Sequence, residues 1–337
     1  MGSTGMEITV VGVGSWAVGG GGWSFGWGSQ DDEESIAALR HAIESGVNWI
    51  DTAAAYGAGH AEEVVARALD GISETDRPYV FTKGGVLVDP SDPYRKPRRV
   101  AAPASLRREI EGSLRRLNLE RIDLYQVHWP PDDGTPIEAY WATMLAFKDE
   151  GLIRAAGLSN HSVPQLEVAE AIGHVDTLQP PLSAIRREAS TELAWCSEHH
   201  TGVIIYAPMQ SGLLTGSFSV ARVSAIDPND WRSRDPEFSG ERLQINLAIA
   251  DALAEVAARR QTTTAAVAVA WTLAWPGVTG AIVGARRAAQ VDGWLPAATI
   301  DLSDDELDHI ARAIERTGAG GGPARPPVRG ASPGPER

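Results

Sequence analysis

Cysteine is almost missing from this chain: Cys196 is the single one in 337 residues. A lone thiol excludes an internal disulfide and suits a reducing compartment, so a cytoplasmic protein is expected. Basic charge is short as well. Thirty Lys and Arg stand against 44 Asp and Glu, a formal net charge of -14. That balance argues against nucleic acid or an anionic membrane surface as the main partner. No apolar run approaches the roughly 20 residues needed to span a bilayer. The first residues lack the charged start and apolar stretch of a signal peptide. Met1-Gly2 faintly suggests myristoylation, but Met6 stands where Ser or Thr is wanted. The histidines other than His128, His199-His200 included, lack a convincing metal-ligand partner set, so no metal is expected. Lysine is the rarest charge. Of the 30 basic residues only Lys83, Lys96 and Lys148 are lysines, which leaves 27 arginines.

What is present is alternation. Short β-rich runs at 9–14, 47–51, 79–83, 122–127, 154–158, 176–179, 203–206 and 280–283 are separated by helical patterns. The patterns lie near 31–45, 60–70, 104–117, 136–150, 163–172, 190–199, 243–259 and 262–274. Eight strands alternating with helices predict a parallel sheet with helical crossovers. A closed (β/α)8 TIM barrel fits the count and the length, with a doubly wound open sheet as the rival. A last helix opens with a capping box, Ser303 to Glu306, and runs to about Thr317. Residues 1–317 are therefore expected to form one barrel domain. Residues 318–337, rich in Gly and Pro, are expected to be a disordered tail. The polar segment 217–242 breaks the alternation and has the length of an active-site lid.

Three strand ends carry chemistry. VNWIDTAAAYG, YVFTKGG and LYQVHWPP place Asp51, Lys83 and His128 at the ends of apolar runs, with Tyr56 in the loop just after Asp51. In a barrel, the C-terminal strand ends converge on one face. Taken singly, these residues equally suit a capping Asp, a packed Tyr, a solvated Lys and a core His. Together, an acid, a phenol, an ammonium and an imidazole can move a proton. A Lys chosen where the chain otherwise uses Arg adds weight, because Lys shifts its pKa readily on burial. A cation beside Tyr56 is expected to lower the phenol below its free value of about 10. Gly12-Val13-Gly14-Ser15-Trp16-Ala17 matches the dinucleotide pattern GxGxxA. The glycines at 19–22 make the required helix unfavourable, so a strand-to-loop connection is expected there.

DTAAAYGAGHAEE, FTKGG, VHWPP, GLSN and YAPMQSGLLTG, in this order, resemble an aldo-keto reductase over about residues 5–316. The resemblance implies a TIM barrel that binds a nicotinamide cofactor without a Rossmann domain and reduces carbonyls. It implies Asp51, Tyr56, Lys83 and His128 as the catalytic set. For the cofactor, NADPH, it implies Ser159, Asn160 and Gln179 on the carboxamide and Tyr206 stacked on the ring. The adenosine phosphates would fall to Gly284, Ala285, Arg286 and Gln290, with Arg286 suited to a 2′-phosphate. Trp16 and Trp129 are expected to wall an apolar carbonyl pocket.

Three departures stand out. The stretch GSTGMEIT lacks the earlier strand that relatives carry, which predicts a less covered barrel floor. Leu182 replaces a Tyr common in similar bacterial members and is expected to widen the pocket. Trp294 stands where relatives often place an adenine-contacting Asn. The expected protein is thus an NADP-dependent oxidoreductase, a monomer or homo-oligomer, acting on a small aldehyde, ketone or sugar-like carbonyl. The alternatives are a secondary-metabolite tailoring reductase or a regulatory nicotinamide-binding subunit with little turnover.

Overall fold

A computed structural model of the chain describes residues 1–89 and 91–327. Its strands are β1 (Val11–Gly14), β2 (Trp49–Asp51), β3 (Tyr79–Gly84), β4 (Val86–Leu87), β5 (Arg98–Arg99), β6 (Ile122–Val127), β7 (Ile153–Ser159), β8 (Thr177–Gln179), β9 (Gly202–Ile205) and β10 (Val278–Gly284). Eight of them close a barrel in the order β1-β2-β3-β6-β7-β8-β9-β10, with β10 returning to β1, and every pairing is parallel. Closure leaves no unpaired sheet edge and rules out the doubly wound alternative. The remaining two strands, β4 and β5, form a small antiparallel ribbon after β3.

The helices are α1 (Asp32–Glu44), α2 (His60–Leu69), α3 (Pro103–Leu117), α4 (Ile137–Asp149), α5 (Val163–Glu170), α6 (Ser190–Glu198), α7 (Val220–Ser224), α8 (Gly240–Arg260), α9 (Thr264–Leu273), α10 (Ala288–Trp294) and α11 (Asp304–Thr317). Their starts follow capping chemistry. The Asp31 side chain accepts from Glu34 N to open α1, and Ser303 and Glu306 close the reciprocal box that opens α11. The main core lies between the sheet and this helical ring, where Val, Ile, Leu and Trp side chains from both layers are fully buried. At 12–17 the chain runs β1, then a 3₁₀ turn at Trp16–Val18, then glycines, so the GxGxxA match opens no α-helix.

The barrel interior has its own apolar cluster: Met6, Trp49, Phe81, Leu124, Ala155, Ile204 and Ile282. Trp49 fits only because Gly12 has no side chain; a Cβ there would stand 2.2 Å from the indole. This corrects the expectation of a poorly covered floor. No strand precedes β1 among the described residues, yet Met6 is 1% exposed and completes the plug. A flexible thioether fills irregular space well.

The boundary at 318 also needs correction. Residues 318–327 run back over the barrel instead of leaving it. The guanidinium of Arg187, 2% exposed, donates to Ala319 O at 2.8 Å, Gly322 O at 3.4 Å and Pro323 O at 2.9 Å. Arg325 pairs with Asp304 at 2.5 Å and Asp308 at 2.7 Å. Low apolar content predicts disorder, but backbone carbonyls satisfying a buried cation need no apolar side chains. Residues 328–337 of the expected tail lie outside the described residues.

Candidate active site

The strands that plug the floor also build the opposite end. Side chains alternate along a strand, so residues two apart share a face. Trp49 and Asp51 lie two apart on β2, Phe81 and Lys83 on β3, and Leu124 and Gln126 at the same spacing on β6, with His128 just beyond. Lys83 Nζ donates to Asp51 Oδ1 at 2.5 Å and Thr52 O at 2.9 Å, and stands 3.5 Å from the Tyr56 hydroxyl. Gln179 Nε2 donates to Asp51 Oδ2 at 2.9 Å, so each carboxylate oxygen has a donor. His128 lies edge-on to Tyr56, ring centroids 5.7 Å apart.

Burial governs the protonation of this group. It pushes Asp51 up and Lys83 down, while their mutual attraction opposes both shifts. Each is paired and hydrogen-bonded, as buried charges must be. His128 is held well below its usual range by burial first, then by the charges of Lys83 and Arg99, which keeps its imidazole neutral. Tyr56 departs from the sequence expectation. Its phenol is raised well above 10, by burial first and then by the Asp51 charge. Lys83 does not reverse this, because its own charge is already matched by Asp51. Tyr56 therefore holds its proton firmly, which suits a donor more than a base.

Beside this group sits a second hydrogen-bonded set. Asn160, in the left-handed region at φ 63°, donates through Nδ2 to His128 O at 2.9 Å and accepts from the Tyr206 hydroxyl at 2.8 Å. Short polar side chains tolerate this backbone conformation. Ser159 Oγ donates to Gln179 O at 2.9 Å. His161 braces the turn from below: its Nδ1 meets Ser159 O at 2.8 Å and its Nε2 meets the Tyr140 hydroxyl at 3.0 Å. Ser159, Asn160, Gln179 and Tyr206 are thus brought together around Tyr56 and His128.

From Asp51 and Tyr56 a groove of about 540 Å³ runs past Gly14, Gly284 and Ala285 to Arg286, Gln290 and Trp294. Gly14 and Gly284 are partners in the β1–β10 register. A Cβ built at Gly284 would stand no closer than 3.8 Å to its nearest neighbour, so the glycine leaves an open cradle above two strand ends. An elongated ligand fits such a floor. Trp294 is buried, yet it contributes to the groove's far end. Arg286 reaches the groove but is already engaged. Its Nε donates to Gln30 Oε1 at 2.5 Å, Nη1 to Trp27 O at 3.3 Å, and Nη2 to Ser29 O. Arg286 is therefore not a free side chain: it fastens the glycine-rich loop across the groove that it lines. Gln290 is an anchor too, accepting from Arg286 N at 2.7 Å.

A second cavity of about 370 Å³ opens over Tyr56 and His128. Trp16 and Trp129 line it, as expected. Leu182 does not. It is fully buried in the core outside the sheet and lines neither cavity. β8 ends at Gln179, and beyond Pro180-Pro181 the chain is held by Leu182 N donating to Tyr206 O at 3.1 Å, which leaves the Leu182 side chain in the core. Several lining residues carried no signal in the sequence. Trp231 of the 217–242 segment stacks on Trp16 at 5.2 Å, and Arg99 of β5 stacks on Trp129 at 4.3 Å. That segment, expected as a long loop with the length of an active-site lid, folds into α7 and short 3₁₀ turns whose residues line both cavities.

Residues 12–315 match the model of the aldo/keto reductase family. The chain is 33% identical over 316 residues to aldo-keto reductase YhdN of Bacillus subtilis, covering 93% of this chain and 92% of that one. It is 30% identical over 329 residues to an NADH-specific methylglyoxal reductase of Escherichia coli, covering 94% and 98%. The solved glycerol dehydrogenase AKR11B4 from Gluconobacter oxydans superposes with a TM-score of 0.83 at 34% identity, covering 98% of this chain and 97% of that one.

Proposed function

Since the chain belongs to the aldo/keto reductase family, a family of nicotinamide-dependent oxidoreductases, we propose that it reduces an aldehyde, ketone or sugar-like carbonyl to the alcohol with NADPH. The observation that carries this reading is the Asp51–Lys83–Tyr56 chain of contacts, closed by a neutral His128, at the mouth of a cavity. A nicotinamide in the groove would supply the hydride. The protein's own residues supply the rest. The Tyr56 hydroxyl donates its proton to the carbonyl oxygen. Lys83 Nζ stabilises the phenolate so formed, and Asp51 and Gln179 hold Lys83 in place. His128, neutral, orients the carbonyl oxygen through a hydrogen bond without competing for the proton.

Ser159, Asn160, Gln179 and Tyr206 would hold the carboxamide end, and Gly284, Ala285, Arg286 and Gln290 the phosphate end. The preference for NADPH over NADH is part of the proposal, since one relative is named NADH-specific. Arg222 and Arg286, neither paired with a carboxylate among the described residues, line a single groove and support a phosphate-rich ligand. We place the enzyme in the cytoplasm on the strength of its single, buried Cys196. The test is coenzyme oxidation across a panel of carbonyls, with NADPH and NADH titrated against wild type and Arg286→Ala. Sustained turnover with tighter NADPH binding is expected. Oxidation that stops after one equivalent would favour the regulatory subunit, and equal affinities for the two coenzymes would overturn the NADPH assignment.

A further inference from the structure

The cavity over Tyr56 and His128 carries an excess of positive charge that proton donation does not use. Its rim holds Lys96, Arg99 and Arg186, against one carboxylate, Asp235. That carboxylate is engaged, Oδ1 accepting from Glu237 N at 2.9 Å. None of the three cations pairs with a carboxylate among the described residues, although Asp and Glu outnumber Lys and Arg in the chain. They arrive from separate places. Arg99 lies on the β4–β5 ribbon, Lys96 just before it, and Arg186 in the loop after β8.

Two of them are well placed. The Arg99 guanidinium lies over the Trp129 ring at 4.3 Å, which fixes its plane and leaves its N–H edge for a partner. It is near enough that its charge acts on His128, after burial and Lys83. Arg186 stands beside Tyr206, where its charge opposes the burial-driven rise of that phenol to about 12. Four further aromatic rings, Trp16, Trp23, Phe25 and Trp231, share the walls with Val86, Pro97 and a few polar side chains.

We propose that the substrate is a carbonyl compound with an apolar body and an anionic group, a carboxylate or phosphate monoester, held by Arg99 and Arg186 at the rim while its carbonyl meets Tyr56 and His128. This deepens the reductase reading and rests on it. A chain of net charge -14 repels anions at long range, so a local cationic mouth is what admits one. Guanidinium suits both anions because its paired N–H groups match two oxygens at once.

The experiment compares 4-formylbenzoate with its neutral methyl ester, and 4-formylphenyl phosphate with 4-methoxybenzaldehyde, by kcat/KM with saturating NADPH. Turnover of the neutral members tests the reductase reading alone. The anionic-to-neutral ratio tests this inference, and the arm with the larger ratio identifies the anion. A charge-assisted hydrogen bond predicts a ratio of about 10 to 100 in wild type, falling as ionic strength rises. Arg99→Gln and Arg186→Gln should each reduce the ratio severalfold or more. Coenzyme binding, followed by fluorescence, reports whether each variant is folded. Wild-type ratios near one in both arms, or ratios untouched in two variants that still bind coenzyme, would overturn the proposal.

Discussion

At Trp49, β2 faces an apolar plug of Met6, Phe81 and Ile282; at Asp51, two residues on, it faces Lys83 and Gln179. β3 changes the same way between Phe81 and Lys83. The floor satisfies itself. Its one polar group, Trp49 Nε1, donates to Thr9 O at 2.8 Å, and the rest is close-packed hydrocarbon and sulfur. The upper end does not. It buries a cation and a carboxylate, half-buries two phenols and an imidazole beside them, and bends the backbone to positive φ at Asn160, Ala207, Gln210 and Ser211. One barrel thus stores stability at one end and chemistry at the other, and variants at the two ends should fail in different ways.

The largest separation is expected at Tyr56→Phe. The lost proton donor should lower turnover by about 10²–10⁴-fold, with coenzyme binding and melting temperature nearly unchanged. Near-wild-type turnover in a variant that binds coenzyme would remove Tyr56 from its role. Trp49→Ala is the counterpart at the floor. Deleting an indole from a filled interior should cost about 3–5 kcal/mol in urea unfolding. Turnover per folded molecule should stay within a few-fold of wild type. A specific loss of turnover at full stability would mean that the ends are not separable.

Glu109 blurs the division, because it serves the upper end structurally. Its Oε2 accepts from Gly85 N at 2.8 Å, just past Lys83, and its Oε1 accepts from Ser105 at 3.2 Å. Burial pushes its carboxyl up to about 7, against hydrogen bonds and arginines that pull it down. The folded protein therefore binds more protons here than the unfolded chain. The stability from this site is complete below about 4.5 and is lost as pH rises through about 7. The loss is on the order of 3 kcal/mol. Glu109→Gln keeps an acceptor for Gly85 and should flatten the pH dependence of unfolding across that window. An unchanged profile would show that Glu109 titrates normally.

The smallest effect is expected at Leu182→Tyr. A ring forced into that packed site should cost about 1–3 kcal/mol, while the ranking of bulky and small carbonyls stays the same. A shift in that ranking would bring Leu182 back to the pocket.

Much of this was legible in the sequence because it depends on local pattern. Expected and observed helices agree within a few residues from α1 to α6, since apolar spacing and caps are short-range signals. Asp51, Lys83 and His128 showed as polar residues closing apolar runs. The sequence was silent where placement depends on distant partners. Arg286 looked free for a phosphate because its acceptors, Trp27, Ser29 and Gln30, lie more than 250 residues earlier. Leu182 follows Pro180-Pro181, where strand parity is hard to carry forward. The β4–β5 ribbon has two residues per strand, too few for any alternation to register.

Arg187 gives the carboxyl end of the chain an unexpected reach. Besides Ala319, Gly322 and Pro323, its guanidinium donates to Ala184 O at 2.5 Å, within the loop that carries Arg186. Gly320 and Gly322 pass so close to that loop that a Cβ at either would collide with Ile185 O or Arg187 O. Trimming the protein back to Thr317, where an engineer reading for apolar content would cut, strips a buried cation of three acceptors beside the wall of the cavity over Tyr56. A cut anywhere between 318 and 323 therefore acts on the loop that carries Arg186 as well as on the segment removed.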